Sequence, residues 1–450
     1  MSQHTATPRL QEEIKPLFAL MIPILITQFS QTGMGLIDTI MAGRMSAQDL
    51  ASISVAVGIW IPIMLLFCGI IFATTPLVAK ALGEKKPSQV VKITQQALWL
   101  AFALGIIALI ILQFIPFILT WLNVPESLIP KASLFLHAIG FGMPAVTTYT
   151  ALRCYSEALG FPRPVTFISI GALFILIPLN YLFMYVLGFG GAGCGFATAI
   201  LQWLMLFALI FHLYRSPNYQ HYRLFHRQQL TQFDTQIMRT ILALGIPIGF
   251  SIFFEVSIFS TAALVLSPLG ELIIAGHQVT ISITSILFMI PMSLALALTI
   301  RVGRYYGEKN WIAMLLVQKL GFLTATLLAL ITMILLWYWK EPIINIYTQD
   351  SEVAKIALTL VVFAIAYQLV DAWQVCAAGC LRGMQDTKTP MWIMLFAYWA
   401  VAFPIGFYLS RYTNVGASGI WIGFIVGLSV ACVFLVIQLY RLYQQLSQIK

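Results

Sequence analysis

Asp38 (GLIDTIM), Glu255 (IFFEVSIF) and Asp371 (YQLVDAWQ) each interrupt a long apolar run. A charge in the middle of a bilayer-spanning helix costs about 2.5–3.5 kcal/mol on insertion scales. Such residues usually face a bundle interior or a wet cavity, and they commonly serve ions or protons. No Lys or Arg stands in the middle of a run, so the sequence offers these acids no internal counterion. Asp38, towards the outer end of its run, has the alternative of reaching the membrane interface. Helical spacing supplies polar neighbours. Tyr367 and Asp371 share a face at i,i+4, and Asp371 and Gln374 at i,i+3. Ser251 lies one turn before Glu255, and Gln31 two turns before Asp38. A carboxylate flanked by hydroxyl and amide oxygens can hold Na+, a hard cation. Removed from bulk water, it can instead exchange a proton. The spacing leaves both open. Asn180 (IPLNYLF) and Gln278 (AGHQVTI) are further polar groups inside runs; they line a cavity or hydrogen-bond across helices. His277 reads first as a satisfied packing histidine, with a proton relay as the alternative.

The elements that carry these residues must be membrane helices. Of 450 residues, 60% are hydrophobic and 9% charged, against about 45–50% and about 25% in a soluble domain. That excludes a soluble enzyme. Apolar runs fall at about 17–40, 51–78, 93–122, 130–152, 164–188, 191–214, 239–266, 272–300, 313–340, 353–380, 390–410 and 416–440. A helical span needs about 20 apolar residues, so twelve spans are expected. Runs this long also exclude a β-barrel, whose strands alternate in short segments. The fold class is an all-α integral membrane protein. The first run lacks a small-residue cleavage site and reads as a retained span. Pro23, Pro62, Pro144, Pro178, Pro247, Pro291 and Pro404 lie within runs, where each removes a backbone hydrogen bond. The many Met and Phe suit lipid-facing packing first, and an adaptable apolar cavity second.

The net charge, 25 − 16 = +9, reports topology and not nucleic acid. With the N-terminus inside, only Arg44, Lys131, Lys340, Lys355 and Arg411 fall outside, which leaves 25 − 5 = 20 basic residues inside. That bias places both termini in the cytoplasm. The six Cys lie in or beside apolar runs without metal-type spacing, so reduced, packed thiols are expected. There is no GxxxxGK[ST], HExxH, GxSxG or TVGYG motif. No ATPase, hydrolase or pore filter is therefore expected, and no cofactor. Uphill transport would draw on an ion gradient, in which one charge crossing 100 mV is worth about 2.3 kcal/mol.

The two halves repeat. FALMIPI (18–24) aligns with LALGIPI (242–248), pairing Pro23 with Pro247 at an offset of 224. LVAKALGEK (77–85) aligns with RVGRYYGEK (301–309) at the same offset. Pro164 and Pro178 pair with Pro390 and Pro404, and Gly190 and Gly193 with Gly416 and Gly419, at 226. Six spans return each half to its starting side, so the repeats are parallel, and such proteins place their site between repeats. Lobes at 1–214 and 239–450 are expected, joined by a cytoplasmic linker at 215–238.

Twelve spans in a 6+6 repeat, QTGMGLIDTIMAGRM around Asp38, LRGMQDTKTP (381–390) and the acid trio together resemble the multidrug and toxic compound extrusion (MATE) family, most closely its NorM branch. The resemblance covers essentially the whole chain. It implies a multi-pass bacterial inner-membrane antiporter, taken as a monomer, that expels cationic amphipathic drugs and dyes in exchange for H+ or Na+. By the same resemblance Asp38 is the first-helix acid and Asn180 its fifth-helix neighbour. Glu255 and Asp371 are similar to the cation-site acids of the second lobe, with Tyr367 the aromatic one turn away, so Na+ is possible at Glu255, Asp371 and Tyr367. Substrate contacts are expected at Asp38, Gln278 and Asp371. The alternative is a lipid-linked sugar flippase of a related superfamily, which would be expected to line its cavity with basic residues.

Overall fold

The computed structural model describes residues 10–119, 125–222, 224 and 233–448. Among these residues every regular element is helical. Eleven helices are long and apolar enough to cross a membrane: α1 Gln11–Met45, α2 Gln48–Gly83, α3 Pro87–Phe114, α5 Arg163–Val186, α6 Gly190–Arg215, α7 Thr235–Leu269, α8 Glu271–Glu308, α9 Trp311–Tyr347, α10 Ser351–Gly383, α11 Lys388–Tyr412 and α12 Ser418–Gln448. The twelfth, α4, is the pair Ile129–Gly140 and Met143–Ala158, bent by 44°. The expected spans all appear, but the fourth is broken where a continuous helix was expected. Phe141 and Gly142 lie at the bend, and Pro144 follows it near the start of the second piece. Large apolar side chains such as Trp99, Phe174, Leu264 and Ile334 stay exposed along the helices, as a lipid-facing surface requires. At the end of α9, exposed Trp337, Tyr338 and Trp339 form an aromatic collar. The Lys340 ammonium rests 4.2 Å from the Trp337 ring centroid.

Local chemistry sets the helix ends. Ser46 accepts from the Asp49 amide at 3.0 Å and caps α2. Asp234 caps α7 through the amides of Gln236 and Ile237. Asp350 caps α10 through Glu352 and Val353. Glu12 and Glu13 in the first turn of α1, and Arg44 in its last, oppose the helix dipole. Helices α5 and α11, equivalent in the repeat, each contain a π-helical turn, at Leu182–Val186 and Phe396–Ala402.

The chain packs as two units. One is Ile26–Gly249; the other joins residues 10–25 to residues 250–448. These are not the expected lobes. The beginning of α1 packs with the second half of the chain, and the beginning of α7 with the first. Both crossings fall two residues after a repeat-related proline, Pro23 and Pro247. In the Ile26–Gly249 unit, the start of α7 lies tight on α2 through Gly245 and Gly249. A Cβ at Gly245 would stand 2.2 Å from the Ile70 carbonyl oxygen. This small-xxx-small spacing lets two backbones touch. In the other unit α1 is anchored by Glu13, which is 3% exposed. Its carboxylate pairs with Arg301 of α8, whose Nε donates at 3.2 Å, and accepts from the Tyr305 hydroxyl.

Part of the expected linker lies outside the described residues, namely 223 and 225–232. The rest is packed. Tyr219 is buried, with its hydroxyl 2.7 Å from Ser156 Oγ, and Gln95 Nε2 donates to the Leu224 carbonyl at 2.9 Å.

Candidate functional site

In the Ile26–Gly249 unit, Asp38 is half-buried and accepts two hydrogen bonds. Asn180 Nδ2 donates to Oδ1 at 2.7 Å, and Thr198 Oγ1 to Oδ2 at 3.0 Å. The bonds come from α5 and α6, so one carboxylate ties three helices. No ion pair reaches Asp38 among the described residues. Asn180 is fully buried, and its Oδ1 has no partner. An oxygen acceptor left free beside a carboxylate suits a cation or a proton donor.

Gln31, which spacing placed near Asp38, turns elsewhere. Arg153 of α4 donates to Gln31 Oε1 at 3.3 Å, to Gln28 Oε1 at 3.2 Å and to Glu157 Oε1 at 2.7 Å. Arg153 and Glu157 are 6% and 4% exposed. The expectation that no basic residue is buried within the spans is therefore corrected. Arg153 follows an apolar run and reads as a loop charge in the sequence. The second piece of α4 instead carries it inward to a matched acid one turn along.

In the other unit Asp371 is 8% exposed and lines a small cavity between α8, α9 and α10. Thr284, Pro291, Thr332, Tyr367 and Gln368 share its wall. Thr332 donates to Gln368 Oε1 at 2.7 Å, and Gln368 Nε2 has no partner. Glu255 of α7 is half-buried and acts electrostatically on Asp371. Arg382, at the end of α10, acts on Glu255. No ion pair joins those two among the described residues, so Glu255 feels a cation without being neutralised in contact. Helix α10 can come this close to α8 because Gly379 faces Ala295; a Cβ there would stand 2.6 Å from the Ala295 carbonyl oxygen.

The structure thus brings together Asp38 with Asn180, and Asp371 with Tyr367 and Glu255. It leaves Gln278 exposed and outside the Asp371 cavity, one residue past the buried His277. Gln374 is buried, with Nε2 on Met394 Sδ at 3.2 Å and Oε1 unpartnered. Two residues escaped the sequence reading. Thr198 is a lone hydroxyl in GCGFATAI, which nothing local marks. Tyr398 lies in the π-helical turn of α11, is 2% exposed and has an unpartnered hydroxyl. It lies within electrostatic reach of Glu255, Asp371 and Tyr367. The nearby Pro404 was its only sequence signal. Among the described residues no three His, Cys, Asp or Glu side chains meet to hold a transition metal. Glu255, Asp371, Tyr367 and Tyr398 offer oxygens only, a donor set for a proton or a hard monovalent cation.

The MatE family model matches the chain twice, at residues 23–182 and 247–408. The matches begin 247 − 23 = 224 residues apart and end 408 − 182 = 226 apart, the offsets of the internal repeat. The probable multidrug resistance protein NorM of Acinetobacter baylyi is 62% identical over 440 residues, covering 97% of this chain and 98% of that protein. The multidrug resistance protein MdtK of Photorhabdus laumondii is 38% identical over 433 residues, 94% of each chain. The crystal structure of a eukaryotic MATE transporter, AtDTX14, superposes with a TM-score of 0.88 at 19% identity, covering 98% of this chain and 99% of that one. An outward-facing multidrug resistance MATE transporter superposes equally well, at 0.88 and 18% identity over 96% of each chain. With the acid centres, the doubled match and relatives of near-complete overlap in hand, the chain belongs to the MatE family.

Proposed function

We propose that the protein is a multidrug efflux antiporter, a transporter and not an enzyme, which exports cationic amphipathic drugs and dyes in exchange for H+ or Na+. The observation that carries this reading is Asp371, nearly fully buried on a cavity wall, coupled to Glu255 and free of any contact ion pair among the described residues. A carboxylate so placed needs a mobile cation. An arriving ion that binds one conformation better than the other shifts the balance between them, and only that difference can drive the switch. The names of the bacterial relatives, multidrug resistance proteins NorM and MdtK, support the drug-export half of the reading. Asp38, with Asn180 and Thr198, is the second cation centre, and Tyr367 and Tyr398 complete the first. The protein resides in a bacterial inner membrane as a monomer; that both termini are cytoplasmic accords with the charge bias. The flippase alternative would need free buried arginines; Arg153 is instead committed to Glu157 and two glutamines.

The test is transport in proteoliposomes, with a pH gradient and a Na+ gradient imposed separately. Asp371→Asn and Glu255→Gln should each abolish ethidium export while the protein accumulates in the membrane at wild-type level. Wild-type export by both variants would reject the mechanism.

A further inference from the structure

His277 sits in α8 with 1% exposure, and neither ring nitrogen has a protein partner. A buried polar group without a partner costs about 1–3 kcal/mol, so the satisfied packing histidine that the sequence suggested is not what the fold provides. Its position gives the ring a use. His277, Thr280 and Thr284 follow at i, i+3 and i+7 and share one helix face. Thr280 and Thr284 are 0% and 6% exposed. Their hydroxyls donate to the Gly276 and Ile281 carbonyls, at 2.9 and 3.0 Å, which leaves each oxygen able to accept. The stripe starts six residues from the beginning of α8, roughly 9 Å deep, at the end that the charge bias places outside. It finishes at Thr284, which lines the cavity of Asp371 and Tyr367. Trp421 of α12 forms the side wall. Its indole meets the His277 ring edge-on at 5.8 Å and stacks on Tyr367 at 5.9 Å, and its Nε1 is likewise unpartnered. Waters bridging along such a row would satisfy the His277 nitrogens and the Trp421 Nε1.

We propose that His277 is the outer station of a hydrated proton path running down α8, past Thr280 and Thr284, to the cavity that holds Asp371. The imidazole takes a proton on one nitrogen and releases one from the other, so no net charge need remain on it. The elements packed about it carry Glu271, Arg301, Arg304 and Glu308 on α8, Glu352, Lys355, Asp371 and Arg382 on α10, and Arg441 on α12; Glu352 and Lys355 are exposed and paired with each other at 2.8 Å. Among the described residues none of them, nor Lys340 and Glu341 of α9 or Arg411 of α11, makes a hydrogen bond or ion pair to the ring. The inference rests on the antiport reading and deepens it by naming H+ as the ion that uses this route.

The experiment is ethidium transport by the full-length protein in proteoliposomes, with rates measured against pH on the outer side, alongside ethidium binding to the purified protein. His277→Gln and His277→Phe should lower pH-gradient-driven transport at least tenfold and flatten its dependence on outer pH, while ethidium binding stays within twofold of wild type. The Thr280→Val, Thr284→Val double variant keeps the ring and should show the same flattening, which serves if the His277 variants do not accumulate. A wild-type pH profile in these variants would overturn the path. So would a loss that is uniform across pH and accompanied by lost ethidium binding, because that marks a packing role. Wild-type transport driven by Na+ alone, indifferent to the pH gradient, would overturn the proton assignment while leaving the antiport reading standing. Absence of ethidium transport under either gradient would bring down both.

Discussion

Thr198→Val removes one of the two hydrogen bonds that Asp38 accepts and leaves the shape of α6 nearly unchanged. A hydrogen bond to a charged group is worth about 1.5–3 kcal/mol, and 1.4 kcal/mol is about a factor of ten. Ethidium export is therefore expected to fall about tenfold or more at matched membrane abundance; unchanged initial rates would show that Asp38 does not need this donor. Arg153→Met tests a different kind of residue. It strands Glu157 in the interior, and breaking one side of a buried pair costs about 3–5 kcal/mol. Thermal unfolding in detergent should shift clearly downward, and adding Glu157→Leu should recover most of the loss, because the uncompensated charge is then gone. A double variant no more stable than the single would refute that account. At this scale the sequence showed much of the chemistry. Charge inside an apolar run marked Asp38, Glu255 and Asp371, and the family resemblance joined Asn180 to Asp38. It could not show Thr198, since threonines are common in membrane helices and only the fold aims this one at a carboxylate. Nor could it bury Arg153, which follows an apolar run as a loop arginine would.

Helix α7 is held on α2 where two glycines bring backbone against backbone. Gly245→Ala would place a methyl group 2.2 Å from the Ile70 carbonyl oxygen, so the helices must separate. Gly171, in α5, has no atom within 4 Å of the same construction. Gly171→Ala should be neutral or stabilising, by up to about 1 kcal/mol, and Gly245→Ala clearly destabilising. Midpoints of thermal aggregation for the pair measure this directly; equal midpoints would remove the close-contact argument. All twelve spans could be read from apolar run length. The bend in α4 could not, because Pro144 alone does not say whether a membrane helix kinks or simply tolerates its proline. The π-helical turns of α5 and α11 were equally hidden, since one extra residue per turn leaves no mark on composition.

For the whole chain, the charge bias and the buried thiols make one joint prediction. All six cysteines are buried, so a membrane-impermeant maleimide should label the native protein weakly. Gln349→Cys, at the exposed junction of α9 and α10, should react in intact cells. Lys309→Cys, at the exposed turn between α8 and α9, should react only after the membrane is opened. Reversed labelling would invert the topology and place the mouth of the His277 path in the cytoplasm. The repeat itself was legible from Pro23, Pro247 and the GEK pairs. Where packing changes hands was not, because a sequence period reports ancestry and not which helix a segment finally leans on.

The crossing of α1 and α7 between packing units bears on how the molecule is built. Residues 10–25 leave the ribosome well before the chain beyond Phe250 with which they pack. Glu13 must therefore wait, uncovered, through the synthesis of some 290 further residues before Arg301 exists to receive it. Assembly cannot finish half by half during translation; the first turns of α1 are seated among helices made much later.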